Sequence, residues 1–304
     1  MSQAETATIL DVRAEALFAA GHAAGAANIP LEELAARLHE LPPKGAAVNL
    51  FDDDPERRRQ AAEALRLRGY AAREASLSAA ELGESGPSRA RLWRPSPFLM
   101  EALEYIRQTS IADSRMARRA LDLACGAGRE AVCLASCGYE VHAVDVLPDA
   151  LARAQDLARR CGVRLSTIQQ DLKRSPALPA ERYGLVIVFR FLHRPLLPMI
   201  GRSVAPAGFI VYEAFHRRDA GAPGRARHGG GGGRAVGSPA ASAAGSNNKG
   251  RRGGPGRALQ DGELAAAFAG FEPLIARDGV ERDGRVFSQL LAQRVVCASG
   301  PASP

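Results

Sequence analysis

The residues best suited to chemistry gather around one short stretch, LDLACGAGR (121–129). Asp122 precedes Gly126 by four residues, Gly128 follows, and Asp145 stands 17 residues after Gly128. Glycines let a backbone loop approach a ligand closely, and an acid at the tip of the next strand accepts hydrogen bonds from ribose hydroxyls. The ligand this suits carries a nucleoside, and the glycine spacing alone fits dinucleotides as well as other nucleoside cofactors. Further on, Asp171 offers another acceptor, and Arg190, His193 and Arg194 are polar groups in an otherwise apolar stretch. His193, with Glu213 second, suits a general base, and the two arginines suit an anionic substrate.

Alternating strands and helices must position these groups. Residues 119–124 read as a strand, Arg129 to Cys137 as a helix closed by Gly138, and 139–147 as the next strand. Residues 147–162 place Leu147, Leu151, Ala154 and Ala158 on one helical stripe, and 164–175 hold a third strand ending in Asp171. Strands follow at 183–192 and 208–215, then a helix at 261–271 and two strands, 272–279 and 284–296. The turn Val280–Asp283 between these is too short for a crossover, so the last pair is antiparallel. The expected fold class is α/β: a small α/β domain followed by a Rossmann-like seven-stranded sheet whose last strand is antiparallel.

Asp122 inside the first strand, Asp145 and Asp171 at later strand ends, and the reversed last strand together resemble the class I S-adenosylmethionine (SAM) methyltransferases. Dinucleotide binders normally carry an apolar residue where Asp122 stands. The resemblance implies SAM as cofactor, held by Asp122, Ala124, Gly126, Gly128, Asp145, Val146, Asp171, Leu172 and Phe189. Within that family Asp171 meets the adenine amino group and the Leu172 N–H a ring nitrogen. The segment FRFLHRP (189–195) is similar to tellurite-resistance-type methyltransferases. This implies methyl transfer to a small molecule, a thiol or chalcogen oxyanion, with His193 and Glu213 as catalytic residues and Arg190 and Arg194 on the substrate. The alternative is a catalytically silent SAM-binding or partner-docking protein.

Residues 9–70 form a second α/β pattern: a short strand, TILDVRA (8–14); apolar residues at helical spacing in 31–41; a strand at 46–51; and a helix over 54–70. With Asp11-Val12-Arg13, Phe18, Gly21-His22, Gly25-Ala26 and Asn28-Ile29-Pro30 in order, this segment resembles the rhodanese domain. That family places a nucleophilic cysteine after the central strand; here the position is Asp52, in DDDPERR (52–58). Carboxylates there repel anionic sulfur donors, so no sulfurtransferase activity is expected. His22 is expected to be a hydrogen-bonded packing residue. The domains expected are residues 1–75 (rhodanese-like, inactive), a linker at 76–92, and 93–297 (methyltransferase), interrupted by an insertion at 216–258.

That insertion carries nine basic residues and one acid, with 13 of the chain's 31 glycines, so it accounts for the net charge of +7. Its composition is that of a disordered Gly/Arg-rich segment. The remainder is close to neutral, which argues against nucleic acid as the substrate and leaves at most a weak RNA contact through 216–258. Five cysteines (Cys125, Cys133, Cys137, Cys161, Cys297) include no CxxC pair; buried free thiols and no metal site are expected. No apolar run approaches membrane-spanning length, and the first residues lack the basic start and apolar core of a secretory signal. A cytoplasmic protein with a small-molecule substrate and no membrane partner is the expectation.

Overall fold

The computed structural model describes residues 9–86, 88, 90–108, 118–180, 182–217 and 258–296. Most of the insertion expected at 216–258 lies outside these residues, as does Cys297. The described chain divides into two compact units: one from Met1–Glu101, Gly126–Cys137 and Asp149–Leu165, the other from Ala102–Cys125, Gly138–Pro148 and Ser166–Pro304.

The first unit holds a four-stranded parallel sheet in the order β2-β1-β3-β4, made of β1 (Ile9–Asp11), β2 (Ala27–Asn28), β3 (Ala47–Phe51) and β4 (Ala71–Glu74). Its core packs Leu10, Leu41, Val48 and Leu50 against Ala61, Ala62 and Leu65 of α3 (Pro55–Arg66). Helix α3 starts sharply because Asp54 caps it, accepting from the Glu56 N–H, and Pro55 occupies its first turn. Helix α1 (Glu15–Ala20) leads to His22, which is buried, stacks on Phe18 at 4.0 Å and bonds the Phe18 carbonyl at 3.0 Å, the packing role expected of it.

One expectation here needs correction. The helical spacing of 31–41 yields only α2 (Leu31–Leu34) and a 3-10 turn, Leu38–Glu40. Tertiary contacts override the periodicity: Glu40 is drawn into a buried cluster with Arg37 and Arg160, as described below. Residues of the segment expected as a linker, 76–92, make contacts with the sheet. Glu84 pairs with His22 through the backbone, and Leu92 and Ala90 pack on the sheet's core.

The first unit also contains α5 (Arg129–Ser136) and nearly all of α6 (Pro148–Arg160). Ala150, Leu151, Ala154, Leu157 and Ala158 form the buried stripe of α6. Trp93, 4% exposed, clusters with Val132, Leu157 and Ala158. The helix α4 (Pro97–Gln108) follows it in the chain.

The second unit holds a seven-stranded sheet in the order β10-β11-β9-β8-β5-β6-β7. Its strands are β5 (Arg119–Leu123), β6 (Glu140–Asp145), β7 (Ser166–Gln169), β8 (Tyr183–Phe189), β9 (Val204–Phe215), β10 (Phe271–Arg282) and β11 (Arg285–Arg294). Strands β5 to β9 are mutually parallel, and β11 runs antiparallel to both neighbours. All seven residues of β8 are buried, the continuous apolar run of a strand covered on both faces. One face packs Leu121, Leu123, Val186 and Val188 with residues of α7 (Leu197–Ser203) and α8 (Glu263–Ala266).

The final hairpin is tighter than the sequence spacing suggests. Strand β10 continues through Arg282, and only Asp283 and Gly284 turn the chain, with φ of 51° and 69°. An Asp-Gly pair with both residues left-handed is the two-residue turn that matches strand twist. Outer strand β10 is mostly exposed and carries Pro273 and two register irregularities.

Candidate functional site

The parallel strands bring their carboxyl ends to one edge of the sheet. Leu123 is in register with Val144 and Val188; one residue beyond, Asp145 pairs with Gln169, and Phe189 with Glu213. The candidate residues Asp145, Phe189 and Glu213 thus share one level, where the chain leaves β5 into the glycine loop. In doubly wound sheets this edge is where ligands bind.

The loop itself is built from unusual backbone. Ala124, Gly126 and Gly128 all adopt positive φ, at 60°, 55° and 77°. A left-handed alanine is disfavoured, and such strain is concentrated at functional loops. The two glycines have different reasons. A Cβ on Gly128 would lie 2.6 Å from the Ala154 Cβ, so only glycine lets the loop close against α6. A Cβ on Gly126 would meet nothing within 4 Å, so there is open space on that side of the loop.

Asp122 is buried at 2% exposure on the strand face opposite Leu121 and Leu123. The Asp145 carboxylate accepts the Leu147 N–H at 3.0 Å, which turns the chain sharply after β6, and Val146 is exposed in that turn. Asp171 lies just beyond β7 rather than inside it. Its carboxylate accepts the Lys173 and Arg174 N–H groups at 2.9 and 3.2 Å, and these backbone bonds hold it below the usual carboxylate range. Leu172 and Phe189 are buried.

On the substrate side the structure separates the expected residues. Glu213 is fully buried, receives Arg282 at 2.6 and 3.1 Å and accepts from Gln289 at 2.8 Å. These bonds occupy both carboxylate oxygens and tie β9 to the final hairpin. Arg194 is likewise occupied: it donates to both Glu263 oxygens, at 2.5 and 2.9 Å, and to the Ala258 carbonyl at 3.0 Å. Its charge serves this ion pair, and it lines an open cavity of 540 Å³ with Gln260, Asp261, Gly262 and Glu263. Arg190 is exposed with a left-handed φ of 59°, and its backbone N–H donates to the Glu213 carbonyl at 2.7 Å. His193 is half-buried and opens the 3-10 turn Arg194–Leu196, its carbonyl accepting the Leu196 N–H at 2.9 Å.

One residue that sequence reasoning passed over shapes this segment. Tyr212, fully buried, donates its hydroxyl to the Phe191 carbonyl at 3.0 Å and so pins the chain two residues before His193. Its place beside Glu213 in a strand of buried residues was the available signal.

In the first unit, the loop after β3 is tied by its own side chains. Asp52 is buried, accepts the Asp54 N–H at 2.9 Å and pairs with Arg57 at 3.1 Å, while Arg58 donates to its carbonyl. Asp11 and Arg13 form a buried pair, with Arg13 reaching Asp53 at 3.0 Å. Of the cysteines, Cys125 and Cys133 are buried as expected, but Cys137 is exposed and Cys161 half-buried. The neighbouring Cys133 thiol holds the Cys137 thiol below the ordinary thiol range. Among the described residues no three His, Cys, Asp or Glu side chains group as metal ligands, and no helix is long and apolar enough to cross a membrane.

Strand order, reversed last strand and left-handed loop define a Rossmann-like methyltransferase fold, joined in one chain to a rhodanese-like sheet. Comparison with known families agrees. Residues 120–208 match the family model described as a methyltransferase domain, and residues 1–78 match that of the rhodanese-like domain. An uncharacterized protein of Schizosaccharomyces pombe, UNK4.09, is 25% identical over 260 residues, spanning 68% of this chain and 76% of its own length. Among solved structures, TehB from Haemophilus influenzae is 16% identical with a TM-score of 0.45, over 64% of this chain and 62% of TehB. The N-methyltransferase NodS from Bradyrhizobium japonicum is 16% identical with a TM-score of 0.43, over 66% of this chain and 98% of NodS.

Proposed function

We propose that this protein is a SAM-dependent methyltransferase acting on a small molecule, a thiol or chalcogen oxyanion. The observation that carries the proposal is the left-handed loop Ala124–Gly128, leaving β5 one residue before the level of Asp145. The residues present suit the cofactor. Gly126 leaves space on the side where a Cβ would stand, Asp145 offers a strand-end carboxylate to ribose hydroxyls, and Asp171 with the Leu172 N–H offers an acceptor and a donor to adenine. Asp122 serves the methionine end through the loop. When bound, SAM supplies an electrophilic methyl group.

The chain's own part is alignment and proton handling. His193 takes the acceptor's proton, held near the sheet edge by the Tyr212 bond to the preceding segment. Arg190, exposed beside the carboxyl end of β8, attracts an anionic acceptor. The rhodanese-like module performs no sulfur transfer, because Asp52 and its arginines occupy the position of the nucleophile. Titration with S-adenosylhomocysteine tests the reading: micromolar binding is expected, and no heat at millimolar ligand would sink it.

A further inference from the structure

We propose that the rhodanese-like module acts as a brace for the glycine loop, with Arg129 as the positioning residue through which it does so; this rests on the SAM reading above. Arg129 is the first residue of α5 and follows Gly128 directly. Its Nε donates to the His39 carbonyl at 2.7 Å and its Nη2 to the Leu41 carbonyl at 3.2 Å. Both acceptors are main-chain atoms at the end of the 3-10 turn Leu38–Glu40, where carbonyls lack helical partners. Unlike side-chain carboxylates, main-chain carbonyls cannot swing away, so their grip on the guanidinium is only as mobile as the turn itself.

The turn is firmly set. The Leu41 side chain is fully buried in the core of the four-stranded sheet with Leu10 and Leu50. Between His39 and Leu41, the buried Glu40 carboxylate accepts from Arg37 at 2.7 and 2.9 Å and from Arg160, near the end of α6, at 2.6 Å. Trp93, just past the last residue of the module's core, packs with Val132 of α5 and Leu157 and Ala158 of α6. The start of α5 is thus held from two sides, by Gly128 closing on Ala154 and by Arg129 fixed to residues 39 and 41. A module without its nucleophile then has a use that needs none: it holds the backbone that a cofactor must meet in one conformation, so that less ordering is left for binding.

The test compares the full chain with Arg129→Ala, Arg129→Lys and Glu40→Gln. Two measurements are made: S-adenosylhomocysteine affinity by calorimetry, and amide hydrogen exchange at Gly126–Ala131 without ligand. Arg129→Ala is expected to weaken binding about tenfold, a coupling of ordinary size, and to speed exchange in the loop. Arg129→Lys, which keeps one donor to the turn, recovers part of both, and Glu40→Gln shows a smaller loss. Unchanged affinity and unchanged loop exchange in Arg129→Ala overturn the brace while leaving the SAM reading intact. If the parent protein binds no ligand, the SAM reading fails, and the exchange arm still decides the brace. If Arg129→Ala does not fold, the Lys and Gln variants carry both measurements.

Discussion

Two strand–loop–helix junctions in this chain share a plan and differ in what fills it. After β3, residues Asp52–Asp54 lead into α3; after β5, residues Ala124–Gly128 lead into α5. Each places a helix start just beyond the carboxyl end of a parallel strand, the usual seat of a ligand. The first loop is closed by its own side chains, with Asp52 bonded to Arg57 and to the Asp54 N–H. The second contributes almost no polar side chains: it offers left-handed backbone and, at Gly126, open space. Architecture supplies the seat in both cases, and the loop residues decide whether anything can sit there.

The sharpest way to break this contrast is to fill the open loop. Gly128→Val puts side-chain atoms where even a Cβ lies 2.6 Å from Ala154. It is expected to cost roughly 2–3 kcal/mol of stability by overpacking and positive-φ strain and to abolish S-adenosylhomocysteine binding in calorimetry. Asp145→Ala removes the strand-end acceptor, and should weaken the same ligand about 10- to 100-fold, the worth of a charged hydrogen bond.

Acid offers a third, smaller probe. Burial holds the His39 imidazole below its ordinary 6.5; Arg160, Arg129 and Arg153 push the same way, and Glu40 opposes them. Burial raises the Glu40 carboxyl, but the bonds and charge of Arg37, with the charges of Arg160 and His39, outweigh it and hold the group below 4.5. In both cases the unfolded chain takes up protons first, so stability is lost as pH falls: from 6.5 downward for His39, and from 4.5 downward for Glu40. Calorimetric unfolding from pH 8 to pH 3 should show stability falling through both windows, and Glu40→Gln should flatten the lower part. The smallest effect is expected at the closed loop. Asp52→Cys restores a thiol but not an anion-binding cradle, and should transfer no sulfur from thiosulfate to cyanide. Turnover there would erase the distinction between the two junctions.

Much of this was legible because it depends on local chemistry. Buried strands, the glycine loop and the acids at strand ends show themselves in residue type and spacing, and the reversed last strand follows from a short turn. What escaped depends on partners far away in sequence. The spacing of Leu31, Leu34, Leu38 and Leu41 promises one helix, but Glu40 answers to Arg160 and the chain bends to meet it. Nothing in the sequence near Glu213 announces its bonds to Arg282 and Gln289, nor near Arg194 its pairing with Glu263. The exact hairpin, by contrast, was within reach: Asp283-Gly284 is a strong turn signal, and weighing it would have carried β10 on to Arg282.

The outer strand β10 has a consequence for the protein in a crowded solution. An unpaired sheet border is a template on which further strands can add, the first step toward aggregation. Here Pro273 removes one amide donor, irregularities between Pro273 and Ile275 and between Arg277 and Val280 break the rhythm of the rest, and Glu272, Arg277, Asp278 and Glu281 stand exposed along it. The sheet therefore stops at seven strands by construction, and another chain that approaches this border finds no continuous row of groups to pair with.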